Sequence, residues 1–359
     1  MKKNNYFLKI TALLFVVILS NHAFSQKDMV QFLAAGKTDA NKFAAYYTQP
    51  FLNTFGNNMN NGWYSTAQPL KLGRFTITIG TTGSFIPKDE QSFVINPAEY
   101  TTISTTGNQP VTAPTMFGEK VSPTGVFAKY NDGTSALSFP LNIPEGSGVN
   151  ISPLPIVQFS LGLVKGTEVM VRGFPKFEIE GYKAGYIGIG VKHDIKQWIP
   201  FMSKLPFDLS VIGAYTSAGL DIVGGNFLEP EVNVANPNKM DYTTQELNFK
   251  SDAWNLNLII SKKLPVLTVF GGLRLSGSKT NVDLMGNYPV TILSNPTVAS
   301  SKVISHVIDP IHLEGSGTQF GINAGLRIKL GFMAIITEGT FVPGGYSSAS
   351  AGLNFGFFN

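Results

Sequence analysis

The sequence predicts an all-β protein, an antiparallel transmembrane β-barrel of about fourteen strands behind a short N-terminal helical hatch. Three observations carry this. The chain opens on an export leader, it is poor in charge yet lacks a helix-length apolar run beyond the leader, and apolar residues recur at every second position through most of its length.

The leader comes first. Lys2, Lys3 and Lys9 precede the apolar run Ile10 to Leu19, and Ala23-Phe24-Ser25 places small residues where a signal peptidase reads. The run is about half the ~20 residues of a spanning helix, so residues 1–25 are expected to be cut off rather than retained. There is no Cys, which excludes a lipobox anchor, disulfides and thiolate chemistry. Three of the 27 basic residues lie in the leader, and the remaining 24 face 23 acidic ones, a balance of +1. The basic pI is thus partly a property of the leader, and nucleic acid is not an expected partner.

Composition sets the class. Charged residues make up 14%, against about a quarter in an ordinary soluble domain, while Gly numbers 37 and Phe 27. A closed barrel reconciles low charge with the lack of spanning helices, because every backbone hydrogen bond is met between strands.

Residues 26–62 form the expected hatch. Asp28 can cap a turn carrying Met29, Val30, Phe32 and Leu33, with Gly36 ending it. A second helical stretch starts at Thr38 or Asp39 and spaces Ala40, Phe43, Tyr47 and Phe51 along one face. Pro50 is expected to break or kink it unless a new turn begins there. Asn57 to Gly62 (NNMNNG) has the composition of a linker.

From residue 63 the barrel is expected to run to the end, with period 2. Phe75, Ile77 and Ile79 alternate with Thr76, Thr78 and Gly80; Val157, Phe159 and Leu161 alternate with Gln158 and Ser160. Trp254, Leu256, Leu258 and Ile260 alternate with Asn255 and Asn257, and Phe320, Ile322, Leu326 and Ile328 with Gly321, Asn323 and Arg327. A soluble sandwich also alternates, but its polar face would carry many charges. Here that face is mostly Gly, Ser, Thr and Asn, as a lipid-facing wall around a wet lumen requires.

Strands are expected at 155–163, 167–175, 182–193, 206–221, 247–261, 266–278, 282–294, 300–313, 318–329, between the turns at Leu330-Gly331 and Gly344-Gly345, and at about 346–358. Three weaker ones between residues 70 and 145 bring the count to fourteen, or to twelve if the poorly periodic 88–150 contributes fewer. Parity then puts the turns at Lys262 to Pro265 and Leu330-Gly331, and the connector 194–206, on the periplasmic side, with Gly344-Gly345 outside. Ile195, Trp198, Ile199 and Met202 sit at helical spacing in that connector, where Trp198 could anchor at the membrane interface. Leu353, Phe355 and Phe357 alternate at the C-terminus, resembling the terminal strand that barrel-assembly machinery recognises, although Asn359 rather than an aromatic is last.

Gly190 to Thr216 (GVKHDIKQWIPFMSKLPFDLSVIGAYT) looks like an uncharacterised outer-membrane family of Bacteroidota. So do Gly62 to Pro69 (GWYSTAQP), Ala113 to Gly118 (APTMFG), Gly166 to Pro175 (GTEVMVRGFP) and Ser261 to Leu273 (SKKLPVLTVFGGL). In layout that family is similar to the long-chain fatty-acid transporters, fourteen-stranded barrels with a small hatch, which is analogy at the level of fold.

Catalytic constellations are not evident, so no enzyme, cofactor or metal is expected. His306, Asp309 and His312 have ligand types, but steps of three put Asp309 on the opposite strand face from both His, and Pro310 breaks the strand. Ligand contact, if any, is expected from hatch aromatics Phe32, Phe43, Tyr47 and Phe51 and from the luminal charges Arg172, Arg274, Arg327 and Glu338, though such charges also pair to hold a barrel shut. Passive binding or transport of a small hydrophobic molecule is the leading expectation, with an accessory or structural barrel of a larger outer-membrane complex as the alternative. Expected partners are outer-membrane lipids and, through the last strand, the assembly machinery.

Overall fold

The protein, represented by a computed structural model, is described at residue 33 and over residues 36–131, 136–179, 182–223, 228–230, 234, 240–293 and 302–356. The expected signal peptide, the Asp28 turn with Phe32, and Phe357 to Asn359 lie outside the described residues.

Alternation decides which residues pair. The chain forms helix α1 (Lys37–Met59) and then strand β1 (Phe75–Phe85). Five short strands follow in one long connection: β2 (Ser92–Ile95), β3 (Ile103–Thr105), β4 (Val111–Pro114), β5 (Val126–Asn131) and β6 (Ala136–Pro140). Next come β7 (Ile151–Gly162), β8 (Thr167–Ile179), β9 (Tyr182–Asp194), β10 (Asp208–Val223), β11 (Glu246–Lys263) and β12 (Leu267–Met285). A hairpin of β13 (Asn287–Leu293) and β14 (Lys302–Ile308) precedes β15 (Ile311–Leu330), β16 (Met333–Phe341) and β17 (Ser348–Gly356). Ten of these close an antiparallel barrel in the order β1-β17-β16-β15-β12-β11-β10-β9-β8-β7, with β7 returning to β1.

The apolar stripes face outward. Ile77, Phe159, Leu256, Leu273 and Ile322 are exposed, and Ile187 is 61% so, while the alternating Thr76, Gln158, Asn257, Arg274 and Asn323 are buried inside. A sandwich would show the reverse, so this wall is built to face lipid. No helix among the described residues is long and apolar enough to cross a membrane.

The strand count corrects the expectation of about fourteen, or twelve. The ring closes with ten. The segments expected as 282–294 and 300–313 contribute the ends of β12 and β15 plus the β13–β14 hairpin, which pairs only with itself. It leaves the wall at Gly286 and Asp309, both at positive φ and joined by the Gly286 N–H to the Asp309 carboxylate at 2.8 Å. Likewise only β1 of the 70–145 region enters the ring, and β2 to β6 form two small sheets beyond it. Their apolar faces cover one another: Ile95, Phe117, Val126 and Tyr288 share a core with Phe43 and Tyr47 of α1.

One end of the barrel carries the connections after β7, β9, β11 and β15, and those after β7, β11 and β15 are short; the other end carries the long connections and this cap. Short turns mark the periplasmic side. The turns expected there (Lys262 to Pro265, Leu330-Gly331 and the 194–206 connector) all lie at that end, and Gly344-Gly345 lies at the other. The connector forms two 3-10 turns, Lys196–Trp198 and Met202–Lys204, instead of one helical stretch, and leaves Trp198 exposed.

Candidate functional site

The lumen is the candidate site, and the chain's own N-terminal part runs through it. α1 is one continuous helix of 23 residues that passes Pro50 without ending, and Asn57 to Met59, read as linker, are its last turn. Its outer half sits in the cap. The Asp39 carboxylate accepts from the Thr102 N–H at 2.5 Å, Lys42 pairs with Glu99 at 2.9 Å, and Tyr47 Oη donates to the Glu145 carbonyl at 2.8 Å. Its inner half descends inside the ring, with Leu52 against Gly315 and Gly56 against Ser278. Phe55 and Met59 pack on Leu154, Tyr186 and Phe249 of the wall, Phe55 and Phe249 edge to face at 4.8 Å between ring centroids. So the expected wet lumen is apolar along one side of the helix.

The other side is a polar lattice made by the asparagine run. Asn57 Nδ2 donates to Ser84 Oγ at 2.8 Å, and Ser84 Oγ donates on to Asn58 Oδ1 at 2.8 Å. Asn58 reaches the Ser152 carbonyl at 2.6 Å, and Asn60 the Gly277 carbonyl at 3.2 Å. Asn61 accepts from Arg274 and, at 3.0 Å, from Ser348. Together these short amides bridge the plug to β1, β7, β12 and β17, and in bonding they avoid a desolvation cost of about 1–3 kcal/mol for each buried polar group left unpaired.

Arg172 fixes the point where helix becomes extended chain. Its guanidinium donates to the carbonyls of Asn61 at 2.7 Å and Gly62 at 2.6 Å, binds Gln158 Oε1 at 2.9 Å, and stacks 4.0 Å from the Trp63 ring. Gly62 turns the chain at φ 65, a left-handed value that glycine adopts without strain. Trp63 then lies across β9, where a Cβ at Gly190 would come within 2.8 Å of its ring. Tyr64 and Ala67 continue downward among Met170, Ile212, Ile259 and Phe270. Ser210 Oγ holds the Ala67 carbonyl at 2.5 Å, and the Leu70 N–H reaches Glu168, which is ion-paired with Lys192 at 2.9 Å. The luminal segment therefore extends past Gly62 to about Leu70, spanning the barrel from outer cap to periplasmic mouth.

Below Trp63 a vestibule opens, lined by Thr76, Thr78, Gln158, Lys192, Arg327 and Glu338 among others. Its cavity volume is ≈ 60 Å³, room for about four to six waters at the ~10–15 Å³ that one requires.

The expected site residues therefore separate. Arg172 and Arg274 hold the plug, whereas Arg327 and Glu338 line the vestibule. Phe43 and Tyr47 are buried in the cap core, Phe51 packs with its ring tilted against Phe55 and Phe249, and Phe32 lies outside the described residues. Of the histidines, His312 meets Asp283 across the strand pair and His193 accepts from Trp198 Nε1 at 2.8 Å. The described residues bring no three candidate metal ligands together. Reading by residue type missed Asn57, Asn58, Asn60, Asn61, Gln158 and Trp63, the bonds that close the lumen.

Among solved structures the fold is similar to the attachment invasion locus protein Ail of Yersinia pestis, at 10% identity and TM-score 0.24, covering 80% of this chain and 99% of that one. It is similar also to the translocator domain of the autotransporter NalP from Neisseria meningitidis (10%, 0.28, 80% and 88%) and to a FadL homologue of Pseudomonas aeruginosa (10%, 0.19, 79% and 89%). Scores this low leave the fold to be argued from this chain's own strand pairing and wall chemistry. No curated protein matches it by sequence. A family model, described as a family of unknown function (DUF6588), matches residues 1–357. With its outward apolar stripes and its ring closed around its own N-terminal segment, the chain is an outer-membrane-type barrel and belongs to that family.

Proposed function

We propose that this protein is a plugged outer-membrane barrel that acts as a structural or accessory component, presenting its outer cap at the cell surface rather than conducting solutes. The observation that carries this reading is the lattice from Asn57 to Gly62, which ties the plug to five strands around the ring. Ring size favours it as well. A helix with side chains is about 10–12 Å across, and an eight-stranded barrel is just filled by side chains alone. Ten strands therefore leave room for little more than the helix they contain.

Uptake of a small hydrophobic molecule would need a greasy path. The vestibule is instead mixed: Ile156, Val266 and Ile336 line it, but so do Thr76, Gln158, Lys192 and Arg327, groups that favour water over hydrocarbon. In this reading Arg172 and Arg274 are structural, and Phe43, Tyr47 and Phe51 serve packing rather than ligand binding. Planar-bilayer recording of the intact, refolded protein is the test. Absence of a steady open state is expected. Ohmic conductance, or saturable binding of a fatty acid to the intact barrel, would refute the accessory role.

A further inference from the structure

β15 outruns the strand that flanks it. It pairs with β12 from Ile311 to Ile328, but with β16 only from Ile322 to Leu330. β16 ends at Phe341, so among the described residues no strand lies beside Ile311 to Gly321 on the side away from β12. The His312 N–H marks which groups face that side, because it leaves the sheet and donates to Asn41 Oδ1 of α1 at 2.7 Å. Backbone groups of alternate residues in an antiparallel strand point the same way. Those of Glu314, Ser316 and Thr318 therefore face the open side too, and none of the described residues bonds them there.

The edge is also unguarded. Ser316, Gly317 and Thr318 are exposed, and a Cβ on Gly317 would meet nothing within 4 Å. Thr318 is in register, through Gly277, with Trp254, an aromatic of the kind that marks where a barrel wall leaves the bilayer. Residues 312–317 therefore stand outside the membrane. An unpaired strand edge is a template for another strand, and proteins blunt such edges with proline or lysine. β7 is blunted in this way: above Gln158, where its pairing with β8 ends, it carries Pro153 and Pro155, which have no N–H. β15 has neither residue type between Ile311 and Gly321.

We propose that this edge docks an extended segment of a partner protein at the cell surface, added as a strand beside β15. The proposal rests on the accessory role above and names how the partner is held. Backbone pairing sets the segment's conformation, and the side chains set its chemistry. Its outward row meets Glu314, Ser316 and Thr318, which suit β-branched residues with a Lys or Arg beside Glu314. Glu314 already pairs with Lys279 on its β12 flank, so a cation on the new strand would complete a charge ladder. A second copy fits less well. Standing upright in the same membrane it presents an edge running the same way, and two such edges pair only in parallel, the weaker arrangement.

Amide exchange on the full-length protein tests this, alone and with a short capped peptide that alternates Thr and Val around one Lys. Alone, Glu314, Ser316 and Thr318 should exchange about tenfold or more faster than Leu313, Gly315 and Gly317, whose N–H groups face β12. The peptide should slow the first set saturably. E314K should weaken its binding about tenfold, and a peptide with Glu in place of Lys should recover the loss. S316P, which takes a donor from the open edge alone, should abolish binding while the barrel keeps its heat-modifiable band. Equal protection of both sets without peptide would mean that the edge is already covered. No slowing by the peptide, or parent-like binding by S316P, would overturn the docking site. Protection that grows with protein concentration would assign the edge to a second copy instead. Conductance in the bilayer test moves none of these readings, so failure of the accessory role and failure of this site are told apart.

Discussion

Arg172 is the residue on which the plug depends most. It satisfies two carbonyls of the chain inside the ring while its charge rests on the Trp63 face, so its removal leaves both carbonyls buried without a donor. R172A should cost about 3–5 kcal/mol, the range for breaking a buried charged network. R172K should recover little, because an ammonium cannot reproduce the forked geometry. Heat-modifiability in gels reads both, and parent-like melting of R172A would remove the guanidinium from this role. Nothing in the sequence distinguished Arg172 from other luminal charges. Its partners are backbone carbonyls and an asparagine run, and those residue types read as a loop wherever they occur. What identifies the run is the wall around it. The small residues Ser84, Ser152 and Gly190 stand where it crosses, and that juxtaposition exists only once the strands have closed.

At the scale of elements, α1 answers to two environments at once. Its outer half completes the cap core through Phe43 and Tyr47, and its inner half fills the ring through Phe55 and Met59. Gly56 is the tightest point, since a Cβ there would collide with Ser278. G56L should push the helix tip off the wall without touching any strand pairing. Stepwise conductance from a barrel that still shows its folded gel mobility is the expected outcome, and a silent bilayer would mean the ring stays sealed without the helix in place.

The same two environments explain what alternation could and could not say. The lipid-facing stripes of β1, β11 and β15 were legible because period 2 with Gly, Ser, Thr and Asn opposite suits a membrane wall. The count was not. Tyr288 and Val290 on β13 alternate just as well, but their apolar face is covered by the cap rather than by lipid. Periodicity shows that a strand has an apolar side and is blind to what lies against it.

At the scale of the molecule, the wall is lopsided. β11, β12 and β15 have 18, 19 and 20 residues, whereas β16 and β17 have 9 each. About 9–11 suffice to cross a bilayer. The longer strands therefore rise beyond it, and above Trp254 their outward residues become charged, with Lys279 and Glu314 paired at 2.9 Å. Trypsin on intact cells should accordingly cut near Lys88, Lys120 or Lys279 while leaving Lys262 and Lys263 whole. Cleavage at the latter pair before permeabilisation would invert the assigned orientation. The chain also enters the lumen from the outer cap, so an epitope inserted at Gly36 should be reachable by antibody on intact cells. One inserted at Gly331, between β15 and β16, should require permeabilisation.

That direction of travel constrains how the molecule is made. Below, the luminal segment continues directly into β1, and above, the outer half of α1 is packed into the cap. Entry after closure would have to draw the helix through a ring barely wider than itself, past a wall that its buried asparagines bond one by one. The wall must instead wrap a thread already lying in place, and the seam between β1 and β17 is where the lasso is drawn shut. Dismantling runs the other way: withdrawing the thread breaks the buried bonds it makes to the wall, so the barrel that loses its plug is left the weaker for it.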